Sequence, residues 1–283
     1  MSKKIIDTLY NKYPLILMVL VVISIFNVAV VFFINSSLSA SAKQTTSTVV
    51  SAPAESVVDT PVTLTVLSDS SCSDCFDMQS FVDSMKQAGV VVSKEDVVDY
   101  ESEQGALLAS AYEIKRVPAL IISKDIENYS SIIQALNQMG TNEKDDSYVF
   151  QTLQPPYKDT ETNKIRGLVD LVNLVDGSCD SCYNVSSHKD ILQQGYGVVI
   201  NSEVTYDISS AKGKQLLTKY NITSVPTILI SPESEVYQNL NSIWGQVGTV
   251  EDDGWYVFRD ETSMINFGGY KNLETGEFID GPS

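Results

Sequence analysis

One stretch of this chain is written twice, and the repetition constrains the fold more than any other feature. Asp69-Ser70-Ser71-Cys72-Ser73-Asp74-Cys75-Phe76 returns as Asp176-Gly177-Ser178-Cys179-Asp180-Ser181-Cys182-Tyr183, and the two C-x-x-C pairs hold all 4 cysteines. Each follows an apolar run, Val62 to Leu67 in the first case and Leu168 to Val175 in the second, that reads as a buried strand. After the first pair, Met78, Phe81, Val82 and Met85 fall at i, i+3, i+4, i+7 and form one helical stripe. Further landmarks recur 108 residues apart: Tyr112 with Tyr220, Val117-Pro118 with Val225-Pro226, and Gly140-Thr141 with Gly248-Thr249. The chain is an internal duplication.

Each copy reads as strand, C-x-x-C helix, strand, helix, Val-Pro strand, helical segment, strand. Strands that alternate with helices predict an α/β unit of three layers built on βαβ crossovers. With 283 residues and 43% hydrophobic content, the chain is long enough for two such domains. The expected division is a first domain over 61–157 and a second over 158–283. A net charge of −17 excludes a basic nucleic-acid footprint, so no nucleic-acid partner is expected.

Two cysteines three apart at the start of a helix lie one turn from each other, close enough to form a disulfide. The first would sit at the positive end of the helix dipole, which favours the thiolate that attacks disulfides. Cys72 and Cys179 are therefore the expected nucleophiles, with Cys75 and Cys182 the thiols that resolve a mixed disulfide. The same spacing also suits two structural disulfides. It supplies half of a tetrahedral thiolate site as well, but the pairs lie in separate copies and the single histidine has no evident partner. No metal and no cofactor are expected. His188 falls at the position of Phe81 and reads as a core residue. Trp244 and Trp255 read as core packing too.

With these motifs in place, the chain resembles the thioredoxin fold, and its tandem arrangement resembles the two-domain protein disulfide oxidoreductases and disulfide isomerases. The resemblance covers residues 61 to 283. It implies that Pro118 and Pro226 are cis-prolines beside the active sites and that Val117 and Val225 offer backbone groups to substrate. It further implies exchange of disulfides with cysteine-containing partner proteins. The chain departs from the family's Trp-Cys-Gly-Pro-Cys: Ser71 and Ser178 stand at the Trp position, and the inner dipeptides are Ser-Asp and Asp-Ser. A carboxylate between the thiols opposes thiolate formation, so weaker activation is expected. Val66 and Asn173 stand where the family often has a buried acid. Asp69 and Asp176, three residues before each pair, are candidates for proton transfer, with turn capping the competing role.

The N-terminus bears on location. Leu15 to Ile34 is apolar apart from Ser24 and Asn27, matching the ~20 residues that span a bilayer. Lys3, Lys4 and Lys12 precede it, which orients a single-pass helix over 14–35 with residues 1–13 in the cytoplasm and the rest outside the cell membrane. Residues 36–60, rich in Ser, Thr and Ala, read as a flexible tether. Secretion after signal cleavage near Ala42 is the alternative. The expected partners are exported cysteine-containing proteins or a membrane redox partner. The competing reading of the whole chain is a tethered, non-catalytic binding module with locked disulfides.

Overall fold

A computed structural model describes residues 60–151 and 154–281, all within one compact unit. The span expected over 14–35 and all of the tether over 36–60 except Thr60 lie outside the described residues, as do residues 1–13. Among the described residues, no helix is long and apolar enough to cross a membrane.

The first copy is built around β1 (Val62–Ser68), whose alternating side chains pack on both faces of a sheet. Val62, Leu64 and Val66 join one apolar cluster with Met78, Val82 and Met85, while Leu67 joins another with Ala109 and Ile114. Helix α1 (Met78–Gln87) carries the first set and α2 (Glu103–Ala111) borders the second. Strand β2 (Val92–Asp99) runs parallel to β1 through the α1 crossover. The chain then makes the short β3 (Arg116–Val117), β4 (Ala119–Ser123), α3 (Ser130–Gln138), β5 (Asn142–Lys144) and β6 (Ser147–Gln151). The five main strands stand in the order β2-β1-β4-β6-β5, with β4 antiparallel to both β1 and β6.

The second copy repeats this plan. Strand β9 (Leu168–Val175) leads to a short α4 (Ser187–Asp190) that continues through a π-helical turn, Ile191–Gly195. Then come β10 (Val199–Asp207), α5 (Ala211–Tyr220), β11 (Ser224–Val225), β12 (Thr227–Ile230), α6 (Gln238–Val247), β13 (Gly248–Val250) and β14 (Tyr256–Phe258). Their order is β10-β9-β12-β14-β13, with β9 and β10 parallel and the other pairs antiparallel. The two copies share one topology.

One glycine in each copy sets the approach of helix to strand. A Cβ on Gly105 would lie 2.0 Å from the Asp99 carbonyl oxygen, and one on Gly213 would lie 2.1 Å from that of Asp207. Ser102 and Ser210 cap the same helices by accepting the amides of Gly105 and Gly213, each at 3.0 Å.

The ends of the copies differ from the sequence expectation. Residues 157–166 form a hairpin, β7 (Tyr157–Asp159) and β8 (Lys164–Arg166), and β7 pairs antiparallel with β3. The boundary expected between 157 and 158 thus falls inside a strand, and by strand pairing the first copy runs on to Arg166. The matching hairpin in the second copy, β15 (Gly269–Asn272) and β16 (Phe278–Asp280), pairs with β11. A helix, α7 (Glu261–Phe267), precedes it there. The first copy instead passes through a cis Pro155-Pro156 bond.

Candidate functional site

Both cysteine pairs are closed as disulfides, Cys72–Cys75 and Cys179–Cys182, each with Cα atoms 5.4 Å apart. All four cysteines are half-buried. They do not lie on helices. Asp69 O accepts the Cys72 amide at 3.1 Å and Cys72 O accepts the Cys75 amide at 3.4 Å, so the pair sits in successive turns. The second pair repeats this at 3.0 and 3.3 Å.

The expected helix-dipole activation is therefore corrected. Helix α1 begins only at Met78, and its N-terminus is capped by Asp77, whose carboxylate accepts the Ser80 amide at 3.1 Å. That carboxylate takes the favoured place at the positive helix end, and the cysteines precede it. In the second copy α4 begins later still, at Ser187. A run of Ser and Asp around the cysteines favours turns and caps over a continued helix, which is the physical reason for the difference.

Each approach turn is held by carboxylates. Asp69 Oδ1 accepts the Ser71 amide at 2.8 Å and the Ser71 hydroxyl at 2.6 Å; Asp176 does the same for Ser178 at 2.9 and 2.6 Å. Asp99 Oδ2 accepts the Ser70 amide at 3.2 Å, and Asp207 Oδ2 accepts the Gly177 amide at 2.6 Å. A Cβ on Gly177 would lie 2.7 Å from Asp207 Oδ2, so the shorter bond requires glycine where the first copy has Ser70. Asp74 and Asp180, between the thiols, are exposed. Water and salt screen their charge from the sulfurs.

A residue that sequence reasoning missed completes each site. Lys158 Nζ lies 3.4 Å from Asp69 Oδ2 and donates to Glu101 at 3.0 Å; Lys271 Nζ donates to Asp176 Oδ2 at 2.5 Å. Burial acts to raise the Asp69 pKa, but the Ser71 hydrogen bonds and the Lys158 charge outweigh it and hold the carboxyl below its ordinary value. The Lys271 ammonium and the Ser178 bonds lower the Asp176 pKa to about 2. Both acids are held ionised as caps and ion-pair partners. That geometry favours turn capping over proton transfer. The signal was present in the sequence: Tyr157-Lys158-Asp159-Thr160-Glu161-Thr162 matches Tyr270-Lys271-Asn272-Leu273-Glu274-Thr275, at a spacing widened by α7.

The Val117-Pro118 and Val225-Pro226 bonds are both cis. Val225 O lies 3.9 Å from Cys182 Sγ, placing the second Val-Pro step beside the disulfide. Val117 and Val225 are fully buried, and their strand positions face Lys158 and Lys271 of the hairpins. Pro156 O, just before the first hairpin, accepts the Phe76 amide at 3.1 Å, and Gly269 O of the second hairpin accepts that of Tyr183 at 3.0 Å, so the residue after the second cysteine is bonded at the matching place in each copy.

The copies differ in a buried polar group beside the second cysteine pair. The Tyr183 hydroxyl donates to Pro226 O at 2.8 Å and lies 2.8 Å from His188 Nε2. A phenol has one proton, so its oxygen must accept from Nε2–H. Burial among Tyr183, Phe258 and Phe267 lowers the His188 pKa to about 4. Burial also pushes the Tyr183 hydroxyl up. The first copy has Phe76 and Phe81 at these places, and Phe81 stacks on Phe150 with centroids 4.9 Å apart.

No known protein-family profile matches this chain, and no curated protein matches it. Among solved structures it is similar to the alkylhydroperoxide reductase AhpF of Enterococcus faecalis, at 17% identity over 64% of this chain and 90% of that one, with a TM-score of 0.21. It is also similar to ERdj5 at 9% identity, covering 60% of this chain and 25% of that one (TM-score 0.19). Human ERp44 is similar at 13% identity over 66% of this chain and 50% of that one (TM-score 0.17). Both copies share the strand order, the parallel first pair and the antiparallel third strand, with the cysteine pair after the first strand and the Val-Pro step before the third. By those measures each copy is thioredoxin-like.

Proposed function

We propose that this protein exchanges disulfides through two C-x-x-C sites, as a thiol–disulfide oxidoreductase held outside the cell membrane by its N-terminal segment. The observation that carries the reading is that both cysteine pairs are closed, half-exposed and set at the same place in two copies of one strand order. In this reading Cys72 and Cys179 attack and Cys75 and Cys182 resolve. The partners are exported cysteine-containing proteins or a membrane redox partner. Anchoring rests on the apolar run Leu15 to Ile34 and the lysines before it.

The test is differential alkylation of the protein equilibrated across a series of glutathione potentials, read separately for each pair. Exchange of at least one pair is expected, with Cys75→Ser or Cys182→Ser accumulating mixed disulfides on the remaining cysteine. Two pairs that stay oxidised throughout would sink the proposal. A second reading, a binding module with locked disulfides, is favoured by the capped helix start at Asp77. It expects potentials below about −300 mV and partner binding that survives removal of all four thiols.

A further inference from the structure

The sheet edge beside each disulfide is already occupied by the chain itself. Extended polypeptides dock on such edges by adding a strand. Here β7 lies on β3 and β15 lies on β11, in matching registers: Val117 opposite Lys158, Val225 opposite Lys271. Thr160 N donates to Lys115 O at 3.0 Å and Leu273 N to Thr223 O at 2.7 Å. Bonded positions alternate along an antiparallel ladder, so the next bonded pairs are Val117 with Lys158 and Val225 with Lys271. The same lysines carry the side chains that reach Asp69 and Asp176 at the cysteine turns. Each hairpin is thus tied down twice by one residue, once through backbone and once through charge.

Resting on the exchange reading above, we infer that the hairpins exclude strand-pairing polypeptides from both sites, and that the closed protein exchanges with compact, low-molecular-weight disulfides. An extended polypeptide gains the edge only when the hairpin is displaced, with Lys158 and Lys271 as the latches. The reaction balances without a further reagent. The Cys72 thiolate of the reduced pair attacks one sulfur of the small disulfide, forming a mixed disulfide and expelling one thiolate. The Cys75 thiolate then attacks Cys72 Sγ, closing the protein disulfide and expelling the second thiolate. Two electrons pass from the protein dithiol to the small disulfide.

The experiment compares the reduced full-length protein reacting with oxidised glutathione and with an extended peptide that carries one cysteine as its mixed disulfide with glutathione. Wild type is expected to gain no rate from the peptide chain. Lys158→Gln with Lys271→Gln is expected to raise the ratio of the peptide rate to the glutathione rate about tenfold or more, because the lost hydrogen bonds to charged groups shift the opening equilibrium by that order. Hydrogen exchange supplies a readout that needs no chemistry: the Val117, Lys158, Val225 and Lys271 amides should be protected in wild type and released in the variant, with Leu64 to Leu67 protected in both. A wild type that prefers the peptide while those hairpin amides stay protected overturns the inference, as does their free exchange in wild type. If neither disulfide reacts but the amides behave as expected, the exchange reading fails and the occupied edge stands.

Discussion

The one histidine of this chain makes a sharp acid-stability prediction. His188 is 4% exposed, and its pKa falls from the ordinary 6.5 to about 4 because its surroundings disfavour the charged ring. In the unfolded chain the imidazole takes up a proton near its ordinary value, while in the folded chain it resists until about 4. The unfolded state therefore binds more protons across that window. Stability is fully present above pH 6.5 and drains away as pH falls towards 4. At about 1.36 kcal/mol per pH unit, the second copy should lose about 2 kcal/mol by pH 5 and about 3 kcal/mol by pH 4.

The assay follows from where the tryptophans lie. Trp244 and Trp255 are the 2 tryptophans of the chain, and both belong to the second copy, so their fluorescence reports the unfolding of the part that holds His188. Urea titrations between pH 7.5 and 4 should show the fall in wild type. His188→Phe should flatten it, since the first copy already accommodates Phe81 at this place. Asp176, lowered to about 2 from 3.8, enters only at the acid end of the range. A flat wild-type profile, or an equal slope in His188→Phe, would refute the reasoning.

The buried ion pair and the close glycines give two more predictions. Lys158→Met leaves the fully buried Asp69 side chain without its counter-charge and should cost about 3–5 kcal/mol, most of it recovered when Asp69→Leu is added; strictly additive urea midpoints would count against the pair. Gly105→Ala and Gly213→Ala should each destabilise by about 2 kcal/mol or more, against the ~1 kcal/mol that alanine ordinarily gains over glycine in a helix, because the new methyl meets a backbone carbonyl at 2.0 or 2.1 Å. Thermal or urea unfolding that shows either alanine variant to be neutral would mean the helix can shift away.

What could be seen in the sequence was what repeats locally. The apolar stripe Met78, Phe81, Val82, Met85 located the first helix, and the Val-Pro steps marked turns that the structure holds in cis. The stripe fixes which face a helix buries, not where the helix begins. The beginning was set by Asp77 and Ser80, a capping pair that reads as polar filler until the cap is seen. The hairpins were hidden for another reason. The first hairpin falls across the boundary expected between 157 and 158 because its partner strand lies far back in the chain, at Arg116 and Val117. The insertion of α7 moved its copy out of the 108-residue register, from Tyr157 to Tyr270.

The duplication kept the device and changed its setting. Both copies preserve the cysteine turns, the cis Val-Pro step, the capping aspartates and the hairpin lysine. What diverged is the buried group beneath them. In the first copy Phe76, Phe81 and Phe150 fill that space with apolar surface alone. In the second, the residue after Cys182 is tied through its hydroxyl to the cis-proline carbonyl and rests on an imidazole that acid can charge. Protonating His188 removes none of the first copy's contacts but places a charge against Tyr183, whose hydroxyl joins the second cysteine turn to its Val-Pro step. Acid should therefore loosen the second site while the first keeps its shape, and the two sites are not interchangeable even where their sulfurs are arranged alike.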